Sequence, residues 1–230
     1  RNILKSQIQN QLLKKFGIEV QFKEKINYGL LPKPHFNSKN LIITQNQKEI
    51  AKVKNFKVFI DFDKFFSINK IKVRNIVFKK ADFNINKDDI LFFRNLLYLD
   101  KIEDKIIFKD SNIFFKGDDN ELLFIQKIIN SKFYYNDKKQ LHTMSSLNKI
   151  FNLKYSLDIN FDSRSKLLNT QIISKDVKLN FKNEFDLNKK KGTLNLAYLN
   201  KKKSVNYILK DNFLSFYYPT KKTDQEDSLK

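Results

Sequence analysis

Two hydrophobic rhythms divide this chain. Over residues 3–16, Ile3, Leu4, Ile8, Leu12, Leu13 and Phe16 fall on one stripe at the 3.6-residue spacing of an amphipathic helix. Gly17 follows, a residue type that takes the left-handed conformation with which helices end. The stripe predicts a helix capping a core. Lys5, Lys14 and Lys15 flank it, so a helix lying on a membrane surface is the alternative.

From residue 18 the period becomes two. Ile18, Val20 and Phe22 alternate with polar neighbours, as do Phe56, Val58, Ile60 and Phe62. Ile71 and Val73 open a strand that continues through Ile76 and Phe78 to Phe83 and Ile85. Its change of parity at Arg74 and Asn75 predicts a bulge. Residues 88–99 break the rhythm: Ile90, Phe93 and Leu97, with Asp89 as N-cap, predict one short helix. Strands resume over 106–116 and 122–135, and the polar stretch 136–148, with His142, reads as a loop. Beyond it Leu153, Tyr155, Leu157, Ile159 and Phe161 alternate without fault. The same holds for Val177, Leu179 and Phe181, for Leu194, Leu196 and Tyr198, and for Val205, Tyr207 and Leu209. Residues 213–218 form a last apolar run, and the polar tail 219–230 reads as disordered.

Asn, Asp and Lys fill the turns and suit hairpins. Strands recurring with few helices predict a mainly β protein: an elongated, curved antiparallel meander in one domain over residues 1–218. About eleven strands at about 4.8 Å spacing give a sheet about 50 Å long. A sheet with one apolar face closes as a barrel, packs on a second sheet, or curls over a hydrophobic ligand.

The formal net charge of +20 invites a nucleic-acid reading, but arginine stands only at Arg1, Arg74, Arg94 and Arg164. Lysine lacks the planar fork that reads bases and phosphates, so the composition argues against nucleic acid. Attraction to anionic lipid head groups fits the same charge. With no cysteine, neither a disulfide framework nor a Cys-based metal site is expected. His35 and His142 have no histidine partner at ligand spacing and read as surface residues. Asp61 with Asp63, and Asp118 with Asp119, read as solvated turns, while Asp88 and Asp89 begin the helix. There is no G-x-S-x-G elbow and no P-loop. The expectation is a protein without catalytic residues, metal or cofactor. No run of about 18 uncharged apolar residues spans a bilayer. Because the chain begins at Arg1, a cleaved or anchoring N-terminal segment is expected ahead of it.

The order of parts over the first hundred residues carries a resemblance. A helix ending in FGIEV, the Leu31–Pro32–Lys33–Pro34 stop, then NLIITQNQKEIAKVKNFKVFIDFDKFF and INKIKVRNIVFKKADFNI follow one another. This succession resembles the start of AsmA-family proteins, bacterial envelope proteins similar in architecture to chorein-type lipid transfer proteins. The resemblance implies an inner-membrane anchor, a periplasmic body, and a curved sheet whose apolar face holds acyl chains. It also implies a role in phospholipid movement and outer-membrane homeostasis. On that reading the tails lie along Val58, Ile60, Phe62, Val73, Leu157, Ile159, Phe161, Val177, Leu179 and Phe181. The partners are phospholipids, the inner membrane through an anchor outside this chain, and other envelope proteins. The alternative is a β-rich scaffold of an envelope complex with a closed core.

Overall fold

The computed structural model describes residues 2–61, 72–99, 103–210 and 213–217. Phe62, Ile71, Tyr218 and the tail 219–230 lie outside them. Helix α1 (Asn2–Phe16) leads into strands β1 (Glu19–Phe22), β2 (Asn27–Gly29), β3 (His35–Gln45), β4 (Lys48–Ile60) and β5 (Val73–Ile85). Helix α2 (Ile90–Leu97) then precedes β6 (Ile106–Lys116), β7 (Leu122–Asn136), β8 (Leu141–Ile150), β9 (Leu153–Asp162) and β10 (Leu167–Ser174). The last described strands are β11 (Leu179–Asp186), β12 (Lys191–Tyr198), β13 (Lys201–Lys210) and β14 (Phe213–Tyr217).

The fourteen strands among the described residues form a single open, curved sheet in chain order, except that β2 pairs beside β1 on β3. The protein is therefore mainly β, with an N-terminal helix and one short helix. Neighbours are antiparallel apart from β5 and β6, which run parallel. The helix between them explains this, since a parallel pair needs a crossover where a hairpin cannot serve.

Gly17 ends α1 at φ +63°, its N–H donating to Leu13 O at 2.9 Å. Ile8, Leu12 and Phe16 are fully buried on the core side of the helix. Ile3 (68% exposed) and Leu13 (52%) turn to solvent, so the buried stripe is narrower than the spacing implied. Gln9 Nε2 donates to Val20 O, and Lys15 Nζ donates to Val73 O and pairs with Asp104, which ties the helix to the sheet. α2 presents Phe92, Leu96 and Leu97 to the core. Asp89 stands at its N-cap without capping it. Its carboxylate instead accepts from Lys48 Nζ (2.8 and 2.9 Å) and from the Asn86 N–H.

The two helices and the inner face of β1–β8 enclose one aromatic-rich core. Phe78 stacks on Phe108 at 5.2 Å, Phe83 meets Phe93 at 5.2 Å, and Phe108 meets Phe133 edge-on at 6.0 Å. The bulge expected at Arg74 and Asn75 is present: Ile76 pairs with Val58 while Val73 pairs with Ile60.

A second irregularity crosses several strands at once. On β3 to β7 the buried residues are once three apart instead of two: Ser38 and Leu41, Val53 and Phe56, Phe78 and Ala81, Phe108 and Ser111, Ile128 and Ser131. Alternation inverts on each strand at the same register line, which passes through Asn40, Lys54, Lys80, Asp110 and Ile129. Asn40, Lys80 and Asp110 take positive φ there (+50°, +55° and +48°). β8 does not invert, and a register shift between Ile128 and Asn130 absorbs the difference. The result is a transverse crease that keeps both halves of each long strand apolar towards the core.

Three expectations are corrected. Residues 141–148, part of the stretch 136–148 read as a loop, belong to β8, because Ser146 and Asn148 occupy inner positions where small polar side chains hide the alternation. His35 and His142 are buried, not surface residues. His35 packs on Phe59 with its Nδ1 2.7 Å from Lys33 O, and His142 lies between Tyr135 and Phe161. Val177 sits in the turn that precedes β11 instead of opening that strand.

Candidate functional site

Among the described residues, cover over the inner face stops at β9. Tyr98, the residue after α2, sets its ring edge-on against Phe161 at 4.5 Å. Past that contact neither helix lies on the sheet. Among the described residues of β9–β14, Phe161 and Tyr207 are the buried apolar side chains.

Cross-strand partners share a face of the sheet, so the register states which side chains line the uncovered side. One rung runs Leu157, Ile172, Phe181, Leu196 and Lys203. The next runs Ile159, Thr170, Asn183, Leu194 and Val205, and a third runs Phe161, Leu168, Phe185, Gly192, Tyr207 and Phe216. A fourth runs Ser174, Leu179, Tyr198 and Lys201. Leu157, Ile159, Leu179 and Phe181 are half-buried, while Leu196 and Tyr198 are exposed. Tyr155 belongs to the same side, and its partial burial holds its hydroxyl above the ordinary value near 10.

The opposite face of β9, β11 and β12 is polar and internally hydrogen-bonded, while on β10, β13 and β14 it also carries Leu167, Ile173, Ile208, Phe213 and Tyr217. Ser145 Oγ donates to Asp158 (2.6 Å), Thr143 Oγ1 to Asn160 (3.0 Å), and Thr193 Oγ1 to Asn206 (2.9 Å). Shallow hollows of about 250 and 590 Å³ along these strands are lined mainly by amide, hydroxyl, lysine and carboxylate groups, with Leu167 in the larger and no imidazole in either. The hairpin ends are held by carboxylates. Backbone N–H groups of Arg164 and Lys189 donate to Asp162 and Asp186 at 2.9 Å, and this holds both carboxyls below their ordinary value near 3.8.

The ten expected acyl-contact residues thus separate. Val58, Ile60 and Val73 are buried in the core cluster with Ile8, Leu12 and Phe16, and so are closed to any ligand in this arrangement. Phe62 lies outside the described residues. Leu157, Ile159, Leu179 and Phe181 come together on the uncovered face, Phe161 closes its border under Tyr98, and Val177 is half-buried in a turn. Sequence reading missed Leu168, Thr170, Ile172 and Ser174 on β10. Its inner positions include two hydroxyls and its outer ones Leu167 and Ile173, so its alternation is faint.

No protein-family model and no curated protein matches this chain. The likeness to AsmA-family proteins therefore rests on the order of elements quoted above. Among the described residues no helix is long and apolar enough to cross a membrane, and no group of three or more His, Asp or Glu side chains is placed to hold a metal ion.

Proposed function

We propose that this protein binds lipid acyl chains along the uncovered apolar face of β9–β14, without catalysis, and serves phospholipid movement and outer-membrane homeostasis. The setting that the AsmA resemblance implies is the periplasmic side of a bacterial inner membrane. The observation that carries this reading is the segregation of the two faces. Leucine, isoleucine, phenylalanine and tyrosine collect on a side that neither helix covers, while the other side of β9, β11 and β12 is a hydrogen-bonded polar ladder. Each methylene buried on such a face contributes about 0.8 kcal/mol, and contacts of this kind let a chain slide as readily as they hold it.

The test is mass spectrometry of an organic extract of the purified protein, with light scattering on the same sample. Phospholipid at near-stoichiometric amounts is the expected result. A lipid-free protein that pairs through this face with a second copy would overturn the reading.

The second reading is a non-enzymatic envelope scaffold, and the closed core of β1–β8 favours it. Leu157→Asp separates the two. A scaffold whose core includes β9 unfolds, whereas an acyl-binding face stays folded by circular dichroism and loses its lipid.

A further inference from the structure

We infer that the ligand of this face is an amphiphile with an anionic head, seated at Lys201 and Lys203, with its tail crossing the sheet over Leu196, Phe181, Ile172 and Leu157. This rests on the acyl-chain reading and adds the head group to it.

Alternation along β13 places Lys201, Lys203, Val205 and Tyr207 on one side of the sheet. That side is the apolar one: Lys203 pairs with Leu196, Lys201 pairs with Tyr198, and Tyr207 stacks on Phe185 at 5.7 Å. Among the described residues of β9–β14, these are the two charged side chains on the apolar face. Every other lysine, aspartate and glutamate within those strands stands at the opposite parity. Their cross-strand partners are a leucine and a tyrosine, where a carboxylate would serve stability better. Neither lysine has an acidic side chain within salt-bridge distance among the described residues, and both are exposed.

Two cations at i and i+2 stand about 7 Å apart along a strand, a spacing that brackets one phosphate or carboxylate. Each ammonium offers three donors to it. The path leading away from them fits a tail. Leu196, Phe181, Ile172 and Leu157 follow one another without a polar break, whereas Thr170 and Asn183 interrupt the next rung. Four strand steps from Lys203 to Leu157 measure about 19 Å at about 4.8 Å each. One leaflet of a hydrocarbon core is about 15 Å deep, so a single acyl chain fits between the lysine and the far leucine.

The experiment measures binding of the full chain to dipalmitoyl phosphatidylglycerol and dipalmitoyl phosphatidylcholine by native mass spectrometry. The wild type is compared with K201S/K203S and with K202S/K182S, which removes two lysines from the opposite face. The wild type prefers phosphatidylglycerol roughly tenfold, a size set by two lysines near an anionic head. K201S/K203S brings the two lipids to parity while phosphatidylcholine binding is unchanged, and K202S/K182S keeps the preference. An unaltered ratio in K201S/K203S, or an equal loss in K202S/K182S, overturns the head-group assignment and leaves acyl binding standing. Failure of the wild type to bind either lipid overturns both.

Discussion

Tyr207 reaches over Gly192 to donate a 2.9 Å hydrogen bond from its hydroxyl to Asn183 Oδ1, two strands away. The ring lies flat along the apolar face, stacked on Phe185, and it fits because Gly192 has no side chain. A Cβ at that position would stand 2.3 Å from Tyr207 Cζ. The glycine is there for a neighbour's ring, not for its own backbone.

Gly192→Ala therefore swings the end of Tyr207 away from the sheet and breaks its bond to Asn183. The backbone is untouched, so the cost is modest, about 1 kcal/mol from the lost hydrogen bond. Chemical denaturation gives the stability change, and quenching of tyrosine fluorescence by iodide rises as the ring becomes accessible. A Tyr207→Phe variant with equal stability loss but no gain in quenching separates the two effects.

The Tyr98–Phe161 contact marks where the closed core gives way to the open face. Phe161→Ala removes a buried ring and costs about 3 kcal/mol or more. Tyr98→Ala costs less, since that ring is half-buried. A double-mutant cycle yields a coupling of about 0.5–1.5 kcal/mol for the edge-on pair. Additive single losses would mean that α2 does not hold its place through this contact.

Acid weakens the hairpins that end at Asp162 and Asp186. Both carboxyls are held below their ordinary value, chiefly by backbone N–H donors in the turns. A depressed folded value contributes stability that is fully present above the unfolded value near 3.8 and is lost as pH falls through the folded one. The unfolding midpoint of the wild type thus declines below about pH 4. In D162N/D186N the same decline is shallower, and near neutral pH the double variant is the less stable protein. Thermal melts across the acid range test both statements.

Lys80 holds φ at +55° inside a strand, a conformation that a β-carbon resists. Lys80→Gly relieves that resistance and raises stability by up to about 1 kcal/mol, against the greater freedom glycine gains when unfolded. Lys79→Gly, one residue away in ordinary strand geometry, lowers stability by about the same amount. Opposite signs at adjacent positions in urea titrations are the expected outcome.

Much of the fold could be read from the chain because the strands of one-sided sheets advertise their inner face. Leu153 to Phe161 alternates perfectly, and β9 lies there. Asp162 and Asp186 head turns of Asn, Ser and Lys, and the hairpins close there. What stayed hidden had a physical cause in each case. β8 and β10 place Ser146, Asn148, Thr170 and Ser174 at inner positions, so polarity no longer reports side. The split among Val58, Ile60, Val73, Leu157 and Phe181 was beyond periodicity altogether. A strand under a helix and a strand open to solvent share one pattern, and only the reach of α1 and α2 distinguishes them. Lys201 and Lys203 were part of the general excess of lysine until pairing with Leu196 and Tyr198 gave them a face.

The transverse crease limits how this protein can change length. Adding one residue to β5 between Ile76 and Phe78 would push Lys80 off the line shared with Lys54 and Asp110, and would turn half the strand inside out. Such a residue is accommodated only by a further bulge, like the one β5 already carries at Arg74 and Asn75. Between that bulge and the crease, the five strand interiors keep their length in concert, and length changes fall to bulges and hairpin ends.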